Sequence, residues 1–163
     1  MQGIQIPPAR LEPSASGTRE AARHSLQRGL EWLTKAAATT PDGSMPRAGA
    51  EQPAPVAVTA LTALAWMAGG SAPERGPQGR ELGLAVDWIT AHTDLDPQSE
   101  APGYISLRGD ALSRMHGHGF AALALTQAAC LSPKSERGAR IERALRAAIQ
   151  CIEIGRASCR ERV

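Results

Sequence analysis

The sequence has few aromatic side chains and few cysteines, and these scarcities exclude whole classes of protein. Its 163 residues include one Tyr, one Phe, three Trp and three Cys. Three cysteines do not make the disulfide framework of a small secreted domain. No apolar run reaches the roughly 18 residues of a membrane span, so no transmembrane segment is predicted. A formal charge of +2 argues against a nucleic-acid partner, because such proteins usually carry clustered Lys and Arg.

Residues 1–17 have few large apolar side chains and contain Pro7, Pro8, Pro13 and Gly17. This composition predicts a flexible arm. No basic stretch is followed by an apolar core of about 7–15 residues, so no signal peptide is visible. A cytoplasmic location is therefore the default expectation.

Alanine is abundant, with 30 residues, and apolar side chains recur with a helical period along most of the chain. Leu26, Leu30, Leu33 and Ala37 form one stripe of a 3.6-residue period. The stretch from Pro55 to Ala68 carries no charge, which predicts a helix buried on every side. In all, we predict helices over residues 18–38, 55–68, 76–92, 116–128 and 132–153.

The predicted helices alternate in character, which indicates a repeat. The first, third and fifth have one polar face, whereas the second and fourth are nearly chargeless. Residues 28–33 parallel residues 84–89 at a spacing of 56, and residues 61–65 parallel residues 120–124 at a spacing of 59. A period of this length in helical pairs is typical of stacked αα-hairpins. The sequence predicts an all-α fold of two helical layers, closed into a ring or left as an open solenoid.

Three strings then carry a family resemblance. They are residues 28–33 (Arg-Gly-Leu-Glu-Trp-Leu) with 41–45 (Pro-Asp-Gly-Ser-Met), the apolar helix 58–65, and residues 115–123 (Met-His-Gly-His-Gly-Phe-Ala-Ala-Leu). With these, the chain resembles the prenyltransferase and squalene oxidase repeat proteins, an αα-toroid superfamily that includes squalene-hopene cyclases and protein prenyltransferase β subunits. The likeness is to an uncharacterised bacterial branch of that superfamily and covers residues 19–153.

The resemblance implies a partial toroid of two hairpins plus one helix, since a full ring has about six helical pairs. The repeat motif is degenerate. Met45 stands where the motif ends in Trp, and the second copy has Thr93 where Gln is expected and no Gly-x-Trp. The family's zinc-binding pattern of Asp, Cys and His has no match in the sequence. No catalytic residue, metal site or cofactor is therefore predicted in this segment.

Asp94-Leu95-Asp96-Pro97 is similar to the acidic motif with which class II terpene cyclases protonate an alkene, which requires a carboxylic acid held protonated by its neighbours. Pro97 replaces the final Asp, and the motif falls in a polar loop. A solvated turn is the favoured interpretation.

Four residues are candidates for ligand binding: His116, His118, Phe120 and Trp66. Two histidines at i and i+2 of a helix diverge by about 200° and do not share a face, which favours ligand contact over metal binding. Trp66 and Phe120, on the buried helices, are the better candidates for lining an apolar cavity. Trp32 and Trp88 take the same place on polar-faced helices and are expected to be structural.

The leading functional hypothesis is a scaffold or binding shell around an apolar or peptide-like ligand. The alternative is a fragment of an isoprenoid cyclase or prenyltransferase whose catalytic residues lie elsewhere. Fold similarity alone does not decide between them. The oligomeric state is left open.

The last ten residues, 154–163, look like the translation of a sequencing-library adapter, a recurrent contaminant of metagenomic reads. We expect this tail not to be native. Without Arg156, Arg160, Arg162 and Glu161, the 18 basic and 16 acidic residues become 15 and 15, so the net charge falls to zero. Residues 1–153 are then expected to be a fragment of a larger ring.

Overall fold

A computed structural model describes residues 16–46, 54–107, 114–132 and 135–160. Within those ranges the chain forms five α-helices and no strand, so the predicted all-α class is confirmed. The helices are α1 (Ser16–Ala37), α2 (Pro55–Ala68), α3 (Gly79–Ala91), α4 (Arg114–Leu131) and α5 (Glu136–Arg160). Most of the predicted arm lies outside the described residues, and its last two residues already belong to α1.

The bounds of α2 match the prediction because both of its ends carry strong local signals. Pro55 occupies the first helical position, where its missing N–H would have no helical partner anyway. At the other end the Gly69 N–H donates to the Ala65 carbonyl. Gly70 follows with a φ of 93° and turns the chain out of the helix.

The bounds of α5 differ from the predicted ones. The helix starts at Glu136 rather than Ser132 and continues to Arg160, beyond the predicted end at residue 153. No proline stands between residues 153 and 160 to stop it, and a helix continues until such a signal ends it. The absence of an apolar period in this stretch therefore did not mark a helix end.

α2 and α4 run parallel and form one layer. At one end, Pro55 at the start of α2 and Leu107, shortly before α4, line a common cavity with His92 just after α3. At the other end, Arg75, which follows α2, donates from Nη2 to the Leu131 carbonyl at the end of α4 over 2.6 Å. The two helices thus begin at the same end of the molecule and finish at the other.

α3 and α5 form a second layer against α2 and α4, and α1 contacts the rest of the molecule mainly through α2. The core lies between the layers and is built mainly of small and branched side chains, among them Ala60, Val86, Ile89, Leu125 and Ala144. The many alanines let the helices approach closely. We call α2 and α4 the inner layer, and α1, α3 and α5 the outer layer.

In the described part of the chain, no helix is both long and apolar enough to span a membrane.

Candidate functional site

One side of α4 is exposed although its residues are largely apolar. His116, Phe120, Leu123 and Gln127 follow one another at i, i+4, i+7 and i+11, so they share one stripe of the helix. All four are exposed, Phe120 by 37% and Leu123 by 48%. The opposite side of α4 packs into the core through Ala121, Leu125 and Ala128.

α2 carries a matching stripe in the same register. Leu61 is 45% exposed, Leu64 is half-buried and Ala68 is exposed. Leu61 precedes Phe120 by 59 residues, and Leu64 precedes Leu123 by the same number. Because α2 and α4 are parallel neighbours, the two stripes join into one surface. We call it the free face: Leu61, Leu64, Ala68, His116, Phe120, Leu123 and Gln127.

The structure brings together two of the four candidate residues, because only His116 and Phe120 lie on the free face. His118 is fully buried between the layers. Its Nδ1 accepts a hydrogen bond from the backbone N–H of Ile105 over 3.1 Å. His116 and His118 thus point to different sides of α4, as their spacing predicted.

Trp66 also lies in the core and is 1% exposed. It follows Leu61 by five residues, which turns it by about 140° away from the free face. Its indole Nε1 has no hydrogen-bond partner among the described residues. Trp66 therefore contributes packing between the layers and does not reach the free face.

Both inner helices hold the turn that precedes them in the same way. The Met45 N–H donates to Oγ1 of Thr59 over 3.0 Å, and the Ile105 N–H donates to Nδ1 of His118 over 3.1 Å. Thr59 and His118 are both 0% exposed and lie 59 residues apart. A buried backbone N–H needs an acceptor, and here a hydroxyl and an imidazole supply it at equivalent places.

The glycines of these turns also correspond. Gly43 has a φ of 89° and Gly103 a φ of 82°. A Cβ on Gly43 would overlap the Leu84 carbonyl of α3, and a Cβ on Gly103 would overlap the Ala147 carbonyl of α5. Sequence reasoning missed this second turn because it looked for a terminal Trp. The signal was present as Gly103-Tyr104-Ile105, 60 residues after Gly43-Ser44-Met45.

The environment of His118 favours its neutral form. Burial lowers the pKa of His118, and the Ala148 carbonyl of α5, which faces the ring, partly opposes this effect. Nε2 lies on that side without forming a hydrogen bond of good geometry. The Tyr104 ring lies 5.2 Å from the imidazole, centroid to centroid.

The acidic loop motif forms a turn. Oδ1 of Asp94 accepts from the Asp96 N–H over 3.0 Å, and Oδ1 of Asp96 accepts from the Gln98 N–H over 2.9 Å. Both carboxylates cap their own backbone in this way. Within the described ranges, no three His, Cys, Asp or Glu side chains come together as a metal site.

The two outer-layer tryptophans have different surroundings. Trp88 is 7% exposed and stacks on His92 at 4.0 Å, beside Asp42 and Ser44 of the first turn. Trp32, at the equivalent position of α1, is 67% exposed. The expected structural role thus fits Trp88, which a preceding turn covers, whereas none of the described residues covers Trp32 in that way.

The most voluminous of the cavities described lies away from the free face. It occupies about 860 Å³ between the end of α4 and the start of α5 and is lined by small and acidic residues. None of the four candidate residues lines it.

Compared with protein-family models, with curated proteins and with solved structures, the chain matches none of them.

Proposed function

We propose that this chain is part of an αα-toroid of the prenyltransferase and squalene oxidase repeat kind. In this proposal it acts as a binding shell, with no catalytic site in this segment. The ligand is apolar or peptide-like and contacts the free face. The observation that carries the proposal is the pair of exposed apolar stripes in register on α2 and α4.

The chemistry of the free face supports an apolar ligand. α2 has no charged residue, and α4 has none after Arg114. Leu61, Phe120 and Leu123 together present a continuous apolar surface, which soluble proteins normally cover or use for binding. His116 and Gln127, near the two ends of the α4 stripe, offer hydrogen bonds that would orient the ligand.

The repeated turn contacts support the toroid. Each inner helix supplies one buried acceptor, Thr59 or His118, to the turn before it. Each turn glycine lies against the backbone of the next outer helix. The same set of turn contacts thus recurs after about 60 residues, as expected where equal hairpins stack.

Binding of a dansylated undecanoic acid probe to the full chain, followed by dansyl fluorescence, tests the proposal. We expect saturable binding that dodecanol competes away if the ligand is an apolar chain, or that an apolar hexapeptide competes away if it is peptide-like. The L61S/L123S double variant should weaken binding roughly tenfold or more, because each leucine contributes about 1 kcal/mol of buried apolar contact.

Leu95 provides the matched control, since it is 46% exposed in the loop after α3 and does not belong to the free face. Leu95→Ser should leave the affinity unchanged. If L95S weakens binding as much as the double variant does, or if neither changes it, the free face is not the binding surface and the proposal fails.

A further inference from the structure

The two inner helices use different chemistry for the same structural task. Thr59 accepts the Met45 N–H with a hydroxyl, whereas His118 accepts the Ile105 N–H with an imidazole nitrogen. A hydroxyl keeps its acceptor lone pairs at any moderate pH. An imidazole is an acceptor only while it is neutral, and it titrates near physiological pH. At this position the second turn therefore depends on the protonation state of an imidazole, whereas the first turn has the hydroxyl of Thr59.

Protonation of His118 would break the hydrogen bond that holds Ile105. In the neutral ring the proton is on Nε2, because Nδ1 accepts from the Ile105 N–H. The imidazolium carries a proton on each nitrogen and so faces the Ile105 N–H with a second donor. Both residues are buried, with 0% and 1% exposure, so water does not replace the lost bond in the closed structure.

The loop that Ile105 belongs to also forms hydrogen bonds within itself and to the end of α3. The Asp94 N–H donates to the Tyr104 carbonyl over 3.0 Å, and the Ser106 N–H donates to the His92 carbonyl over 3.2 Å. The Gly103 N–H donates to the Asp94 carbonyl over 2.7 Å. These contacts tie the loop to itself and to the end of α3, whereas His118 ties it to α4.

We propose that His118 is a pH-sensitive latch that releases the loop of residues 93–107 from α4 and α5 on acidification. The first turn, held by Thr59, stays closed under the same conditions. Release would free Gly103 from the Ala147 carbonyl and loosen the approach to α4, the helix that carries His116 and Phe120. The proposal does not depend on the binding function argued above.

Among the groups that pack against His118, the imidazole itself is the one expected to change its protonation state on acidification. The Tyr104 ring faces it from the loop and the Ala148 carbonyl faces it from α5. Among the described residues no charged side chain shifts its pKa. Asp94 and Asp96 hold their own turns, and the ring of His92 bonds the Trp88 carbonyl through Nδ1.

Hydrogen exchange of the full chain, measured at pH 7.5 and pH 5.0 and corrected for the intrinsic rates, tests the latch. We expect protection of residues 93–107 to fall roughly tenfold at pH 5.0, as the loss of one buried hydrogen bond implies. Protection of residues 38–46 should not change, and it reports within the same molecule that the chain remains folded.

Two variants decide the assignment. His118→Thr copies the acceptor of the first turn and should remove the acid sensitivity of residues 93–107. Thr59→His should transfer that sensitivity to residues 38–46. The proposal is overturned if both turns lose protection equally, if neither does, or if H118T still loosens at pH 5.0.

Discussion

Arg137 of α5 forms a two-pronged ion pair with Asp87 of α3. Its Nε lies 3.0 Å from Oδ1 and its Nη2 lies 2.8 Å from Oδ2. The same guanidinium reaches Glu74, in the loop between α2 and α3, through Nη1 at 2.7 Å, and Arg140 adds a contact to Asp87 at 3.1 Å. Arg137 thus fixes the start of α5 to two parts of the preceding hairpin.

Replacing Asp87 with Asn should destabilise the chain by about 1–2 kcal/mol, because paired geometry makes this contact stronger than an ordinary surface ion pair. Urea unfolding followed by circular dichroism measures the change. Glu142→Gln is the matched control, since Glu142 pairs with Arg146 one turn away on an exposed helix face. That control should cost under about 0.5 kcal/mol, and equal losses would contradict a special role for Asp87.

The same pair predicts a contribution to acid sensitivity. Burial alone would raise the pKa of Asp87, but hydrogen bonds and charge from Arg137 and Arg140 lower it below its ordinary value. The unfolded chain then binds more protons in the window between the two pKa values, so this stabilisation is present above about pH 4 and is lost below it. The difference in unfolding free energy between wild type and D87N should shrink as pH falls from 5 to 2.5. A difference that stays constant would refute the linkage.

Much of the fold follows from local sequence signals. Pro55 and Gly69-Gly70 mark both ends of α2, and the turn at Pro41-Asp42-Gly43 is visible in composition alone. The start of α5 was placed four residues too early, and its end was placed seven residues too early, because the apolar period stops at residue 153 while the helix continues to Arg160. Such ends depend on packing and on helix propagation, to which the apolar period is blind.

The candidate site was less predictable for a physical reason. Phe120 was expected on a buried helix, whereas the structure leaves both Phe120 and His116 exposed. What fixes His118 is a backbone N–H that lies thirteen residues earlier in the chain. No helical period contains that information. Only the alignment of Thr59 with His118 at a spacing of 59 residues could have indicated a shared structural role.

The three tryptophans should be distinguishable in solution. Trp32 is 67% exposed, whereas Trp66 and Trp88 are 1% and 7% exposed. Trp32→Phe should shift the emission maximum to shorter wavelength and reduce quenching by acrylamide, because it removes the one indole in contact with bulk water. Trp88→Phe should act in the opposite direction. A red-shifted emission that survives in W32F would show that the layers do not pack as described.

At Glu74, glycine should destabilise the chain less than alanine does, which is the reverse of the order expected within a helix. It has a φ of 64°, in the left-handed region that disfavours residues with a Cβ. Both Glu74→Ala and Glu74→Gly lose the ion pair with Arg137, but only glycine relieves the backbone. E74G should therefore be more stable than E74A by about 1 kcal/mol. At the helical position Glu142 the order should reverse, and the same order at both sites would contradict the strained conformation.

The turn glycines give the sharpest test of how the hairpins stack. Gly43→Ala and Gly103→Ala each place a methyl group against a carbonyl of the next outer helix, at a left-handed backbone position. Backbone cannot retreat as a flexible side chain would, so each variant should cost about 2–4 kcal/mol of unfolding free energy.

Gly29→Ala is the control for these two variants, because a Cβ at Gly29 in α1 meets nothing within 4 Å. It should stabilise the chain by up to about 1 kcal/mol through helix propensity. Thermal unfolding of the three variants orders them directly. If G43A is severe and G103A is mild, the second turn does not pack on α5 as the first packs on α3. The two turns would then not be equivalent, and the hairpins would not stack as equal units.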